Sequence, residues 1–143
     1  VLVLGSFPSE ASLAARQYYA HPQNRFWTIM GEILHADLRA LPYPRRIADV
    51  NAAGIGIWDV YGSCLRQGSL DSAIREPAFN DFDAIRRCAP GITRVCMNGA
   101  TASRALRYLE ALGFETRVLP STSPANASQS FDFKLQRWRE ALA

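Results

Sequence analysis

The sequence predicts an α/β protein: a three-layer αβα sandwich around a central, mostly parallel sheet of four strands. Three observations predict it. Short apolar runs alternate along the chain with segments of helical periodicity, the pattern of a parallel sheet with helices on both faces. Each run is too short for a helix and ends at a turn signal. Four polar or glycine-bearing motifs fall just after these runs, at the carboxyl ends of the strands, where ligands bind in open α/β sheets.

The elements follow in order. Val1–Leu4 is a continuous apolar run closed by Gly5 and reads as a buried parallel strand. Val1 already falls inside this strand pattern, so a short preceding segment is expected. Ser12–Tyr18 suggests a short helix. Phe26, Trp27, Ile29, Met30, Ile33 and Leu34 recur at helical spacing, with Asn24 where an N-cap belongs. Pro44–Ala53 suggests another helix, closed by Gly54, and Ile55–Tyr61 the second strand. Asp81–Cys88 reads as a helix ending before Pro90. Arg94–Met97 is the third strand, followed by the turn Asn98-Gly99. Ala105, Leu106, Leu109 and Leu112 mark one face of a helix closed by Gly113. Arg117–Leu119 is the fourth strand, and the polar stretch Pro120–Ser130 leads into a last helix through Leu135 and Trp138.

Composition narrows the class. With 143 residues, 48% hydrophobic and 20% charged, the chain reads as a single globular domain spanning residues 1–143. No apolar run is long enough to cross a bilayer, and no signal peptide is visible, so an intracellular protein is expected. The net charge of +3 is mildly basic. Lys134 is the only lysine among 16 basic residues, the others being the arginines that grip phosphate with a planar fork, although a GC-rich genome also favours arginine. Cys64, Cys88 and Cys96 are widely spaced and read as reduced thiols. His21 and His35 lack metal-ligand spacing, so no zinc site is expected. No nucleophile elbow G-x-S-x-G argues for an α/β hydrolase, and no Walker A or G-x-G-x-x-G run argues for a nucleotide cofactor.

The strand-end motifs are Gly5–Ser9, Asp59–Ser63, Asn98-Gly99 and Ser121–Ala127. The most specific signal is Tyr18-Tyr19-Ala20-His21-Pro22-Gln23-Asn24-Arg25-Phe26-Trp27. It resembles the A-H-P-x-N-R-F-W stretch of mismatch-specific uracil-DNA glycosylases. Gly5-Ser6-Phe7-Pro8-Ser9 stands in the place of their first motif, Gly54–Asp59 resembles the strand that reads the base, Asn98-Gly99 resembles their F-N-G turn, and Leu119–Ala125 stands in the place of their second motif. The chain thus resembles the uracil-DNA glycosylase superfamily over nearly its whole length. G-S-F-P-S, Y-Y-A-H-P-x-N and L-P-S-T-S-P-A-N look most like its hypoxanthine-DNA glycosylase branch.

The resemblance implies a monofunctional enzyme that flips a deaminated base from DNA and hydrolyses its glycosidic bond without a cofactor or a lyase step. Three cysteines are too few for the iron–sulfur cluster that some superfamily members carry. A monomer acting on DNA with a deaminated base is expected. One departure matters: Phe7 stands where many relatives place the Asp or Asn that positions water. The resemblance to the hypoxanthine branch moves that catalytic role to Asn24. Tyr19 matches the aromatic that stacks on the flipped base. Asp59 aligns with the residue that reads it, and Ser6 and Phe7 are further candidates for contact with base or sugar. Ser121, Thr122 and Ser123 are candidates for the flanking phosphates. Pro124, Ala125 and Asn126 are expected near the gap in the duplex, with Asn98 and Gly99 facing DNA. Ala125 is small for a wedge, so Asn126 or another loop is expected to fill the gap. Gly68–Ile74 also looks like a family signature, and Ser69 or Asp71 there suggests the start of a short helix. Hypoxanthine excision is the leading expectation. Excision of uracil or another mispaired base is the alternative, and a non-catalytic module for damaged DNA is a third.

Overall fold

In the computed structural model, which describes residues 1–143, the first strand β1 (Leu2–Gly5) lies inside the sheet. It pairs in parallel with β2 (Gly56–Asp59) on one side and β5 (Arg94–Asn98) on the other. The strand β6 (Glu115–Leu119) adds in parallel to β5, giving the order β2-β1-β5-β6. All four end on the same edge, at Gly5, Asp59, Asn98 and Leu119.

Strand alternation divides the core in two. Leu2 and Leu4 point with Val95 and Met97 to one side of the sheet, where α4 (Asp83–Cys88) and α5 (Leu106–Ala111) contribute Ile85 and Leu109. Val3 and Cys96 point to the other side. There α2 (Phe26–Leu34), α3 (Tyr43–Ala52) and α6 (Phe131–Leu142) supply Phe26, Ile29, Met30, Val50 and Trp138. Phe26, Trp27 and Trp138 meet edge to face, a geometry that adds to their burial.

The short helix α1 (Glu10–Ala15) is capped by Ser9, whose hydroxyl accepts the Ser12 N–H. Asn24 does not occupy the cap position of α2, which is Arg25; its Oδ1 instead accepts the Phe26 N–H at 2.9 Å, an Asx turn one residue outside the helix. The expected second strand through Tyr61 divides in two. After Asp59 the chain leaves the sheet and β3 (Tyr61–Leu65) forms an antiparallel hairpin with β4 (Arg75–Phe79). Its register shifts twice, and every residue of β4 is exposed, so it carries no apolar alternation to read in the sequence. The short helix expected at Gly68–Ile74 is one 3-10 turn, Asp71–Ala73, between the hairpin's strands.

Candidate active site

The carboxyl edge of the sheet opens into a cleft of about 980 Å³. It brings together all the sequence motifs: Gly5–Ser9, Tyr18, Tyr19, His21, Asn24, Asp59, Asn98, Gly99 and the stretch Leu119–Asn126. Ser69, Leu70 and Asp71 also line it. Its sequence alone gives that segment no chemical role, since its placement depends on a hairpin the pattern does not reveal.

Asp59, the last residue of β2, forms part of the cleft wall at 8% exposure. Its backbone carbonyl is held by Asn80 Nδ2 at 2.8 Å. No cation pairs with its carboxylate, and burial, reinforced by the charge of Asp71, pushes its pKa up to about 7. Gly5 makes this arrangement possible. A β-carbon on Gly5 would stand 2.8 Å from Asp59 Oδ1 and 3.0 Å from Tyr19 Oη.

Tyr19 adopts a left-handed backbone, φ 55°, within the loop between α1 and α2. Its ring stacks on Phe26 with centroids 4.1 Å apart, which covers one face. The preceding residue is held at both ends: the Tyr18 N–H donates to Tyr43 Oη, and Trp27 Nε1 donates to the Tyr18 carbonyl. Burial, then the nearby charge of Asp59, pushes the Tyr18 hydroxyl up to about 12 and the Tyr19 hydroxyl further in the same direction.

Asn98 and Thr122 join the ends of β5 and β6. Asn98 Oδ1 accepts the Thr122 N–H at 3.0 Å, and Asn98 Nδ2 donates to Thr122 Oγ1 at 2.9 Å and to Tyr19 Oη at 3.3 Å. Thr122 is fully buried. The Thr122 N–H and hydroxyl oxygen and the Asn98 amide are thus engaged with each other inside the protein. Both hold the loop in place. Gly99, φ 97°, passes so close to Ser121 that a β-carbon would meet Ser121 Cβ at 2.9 Å.

The Ser121–Asn126 loop is shaped by its own side chains. Ser121 Oγ accepts the Ser123 N–H and Ser123 Oγ accepts the Ala125 N–H, which leaves both hydroxyl hydrogens free to donate. Asn126 is tied down: Nδ2 donates to the Ser121 carbonyl and Gln129, Oδ1 accepts from Ser128, and its carbonyl takes Lys134 Nζ. Pro124 and Ala125 are exposed. The Arg25 N–H donates to the Thr122 carbonyl at 3.0 Å, which sets Asn24 beside this loop.

On the other wall, the Ser6 hydroxyl donates to Asp71 Oδ1 at 2.7 Å and the Glu10 N–H donates to Ser69 Oγ at 3.0 Å. Phe7 packs on the core, with the Arg66 guanidinium 5.4 Å over its ring, so its side chain offers no group that binds water. No three His, Cys, Asp or Glu side chains come together as a metal site.

This geometry has relatives. Residues 1–142 match the family model of the uracil DNA glycosylase superfamily. A hypoxanthine DNA glycosylase of Methanosarcina acetivorans is 37% identical over 126 residues, 88% of this chain and 80% of the relative. A hypoxanthine DNA glycosylase of Methanosarcina barkeri is 36% identical over 142 residues, 99% of this chain and 89% of the relative. The solution NMR structure of a candidate uracil DNA glycosylase from Methanosarcina acetivorans superposes with a TM-score of 0.88 at 35% identity, covering 99% of this chain and 87% of that one. The motif order, the sheet topology and these matches over nearly the full length lead to one conclusion: the chain belongs to the uracil DNA glycosylase superfamily.

Proposed function

We propose that this protein is a monofunctional DNA glycosylase that excises hypoxanthine, the deamination product of adenine, from DNA inside the cell, acting as a monomer. The observation that carries the reading is the Asp59 carboxyl group: deeply buried, unpaired by any cation, and part of the wall of the cleft. A flipped hypoxanthine offers N1–H beside O6, and an ionised Asp59 accepts that N1–H. Adenine has a bare lone pair at N1, which the carboxylate repels. The relatives named hypoxanthine DNA glycosylases support the same choice of base.

Excision requires the base to leave the stack. In this reading the purine enters between Asp59 and the ring of Tyr19 whose other face rests on Phe26. Ser121 and Ser123 donate their free hydroxyl hydrogens to the flanking phosphates. Asn24 acts on water. Its Oδ1 already accepts the Phe26 N–H, which fixes the amide plane, and its second lone pair accepts a hydrogen from the attacking water. An amide is too weak a base to take that proton; it orients the water oxygen toward C1′. The C1′–N9 bond breaks with its electron pair leaving on the base. Water then adds to the positively charged sugar and releases its proton to solvent, and the base takes up a proton in turn.

The test is a substrate panel of hypoxanthine-, uracil- and xanthine-containing duplexes, run on wild type, Asn24→Ala and Asn24→Ser. Wild type should release hypoxanthine fastest and leave an abasic site that is cut only on alkaline treatment. Asn24→Ser keeps an oxygen for the Phe26 N–H and should fold normally, yet lose roughly 100-fold or more in rate, the scale of a lost positioning group. Full activity in Asn24→Ser would remove Asn24 from catalysis. Tight binding to modified DNA with no abasic product would replace the enzyme by a damage-recognition module.

A further inference from the structure

A base drawn out of a duplex leaves a hole in the stack, and an apolar side chain inserted there offsets the cost of unstacking. Such a residue must be apolar, exposed, rigidly held and at the rim of the cleft. In the loop after β6, Ala125 is a single methyl group, Asn126 is bound by its neighbours, and the exposed Pro124 ring is compact and reaches less far from the backbone than a leucine. Three large exposed apolar side chains line the cleft, Leu70, Val118 and Phe133. Val118 is part of the sheet, in β6, and has a short side chain. Phe133 is the least exposed of the three and has the Arg137 guanidinium 5.3 Å from its ring.

Leu70 differs. It is 57% exposed, and it belongs to neither a strand nor a helix. The residues on either side of it are both fastened to the segment that follows β1. Ser69 Oγ accepts the Glu10 N–H at 3.0 Å and Asp71 Oδ1 accepts the Ser6 hydroxyl at 2.7 Å. An exposed leucine is thereby held between two anchors. Leu70 and its neighbour Asp71 line the same cleft as Asp59, so Leu70 stands beside the proposed base pocket.

We propose that Leu70 is the wedge that enters the duplex gap, delivered by the loop between β3 and β4 rather than by the loop after β6. The inference rests on the base-flipping reading above. It explains why the Gly68–Ile74 segment folds back onto the cleft with Leu70 facing solvent while Ile74 is buried in the core.

The test compares one hypoxanthine-containing oligonucleotide as a duplex and as a single strand, under single-turnover conditions. A single strand has no gap to fill. Leu70→Ala should therefore lose about 10- to 100-fold on the duplex, the range of a lost unstacking contact, and change little on the single strand. Leu70→Phe should restore most of the duplex rate, since a larger apolar group fills the same gap. The exposed side chain contributes little to folding, so thermal unfolding should be unchanged in both. Equal losses on both substrates, an unaffected duplex rate, or a duplex-selective loss in Phe133→Ala in place of Leu70→Ala would overturn the assignment. Wild-type protein that releases hypoxanthine from neither substrate would overturn the glycosylase reading itself, and the wedge with it.

Discussion

Asn98 and Thr122 are joined by reciprocal hydrogen bonds, the Thr122 N–H donating to Asn98 Oδ1 at 3.0 Å and Asn98 Nδ2 donating to Thr122 Oγ1 at 2.9 Å. This pair turns two strand ends into one rigid rim, and the same Nδ2 reaches Tyr19. Asn98→Ala would leave the buried Thr122 N–H and hydroxyl without partners. The expected cost is about 1–3 kcal/mol for each unsatisfied group, visible as a lower denaturant midpoint. The glycosylase rate should fall as well, because Tyr19 and the Ser121–Asn126 loop lose their common support. Thr122→Val keeps the N–H bond and should cost less in both measurements. Equal effects of the two variants would mean that the backbone bond is not the supporting one.

Gly99 is required twice, for its positive φ and for its approach to Ser121. Gly99→Ala should strain the turn and displace Ser121. A rise in KM for DNA larger than the fall in kcat is expected if Ser121 grips a phosphate. A variant with unchanged KM would place the phosphate grip elsewhere.

The pH profile follows from Asp59. Burial, then Asp71, raises its pKa to about 7, and in the proposed function the ionised form accepts N1–H. For hypoxanthine, kcat/KM should rise as pH passes upward through about 7. Asp59→Asn cannot ionise and should lose that inflection while altering the hypoxanthine-to-uracil ratio. An identical inflection in Asp59→Asn would assign the titration to another group.

Stability carries the same signature with the opposite sense. The folded-state pKa of Asp59 lies above its unfolded value, so the folded state holds the proton more tightly. The stability this contributes is fully present below about pH 4 and is lost as pH rises through about 7. Asp59→Asn removes the buried charge and should therefore raise Tm more at pH 8 than at pH 5. Thermal unfolding of both proteins across pH 5–8 measures the difference.

The central strands and the flanking helices were legible in the sequence because the strands bury both faces and the helices one. Burial imposes continuous apolar runs on residues 2–4 and 95–97 and a helical stripe on Phe26–Leu34. The strand-end motifs were legible too, since a parallel sheet gathers its carboxyl ends on one edge whatever their spacing in the chain. The hairpin of β3 and β4 was not legible. Its second strand is exposed throughout, so no burial constraint shaped its pattern. That hairpin is what carries Leu70 and Asp71 back to the cleft, across more than sixty positions from Ser6, as the Ser6–Asp71 bond records. Side-chain roles were decided only by tertiary contacts. Residue types alone made Thr122 and Asn98 candidates for DNA contact, whereas the structure shows them buried and hydrogen-bonded to each other. Sequence by itself determined the architecture and the family, which follow from periodicity and motif order. Only the tertiary structure decided which polar groups remain free to meet DNA, because that depends on which of them already have partners.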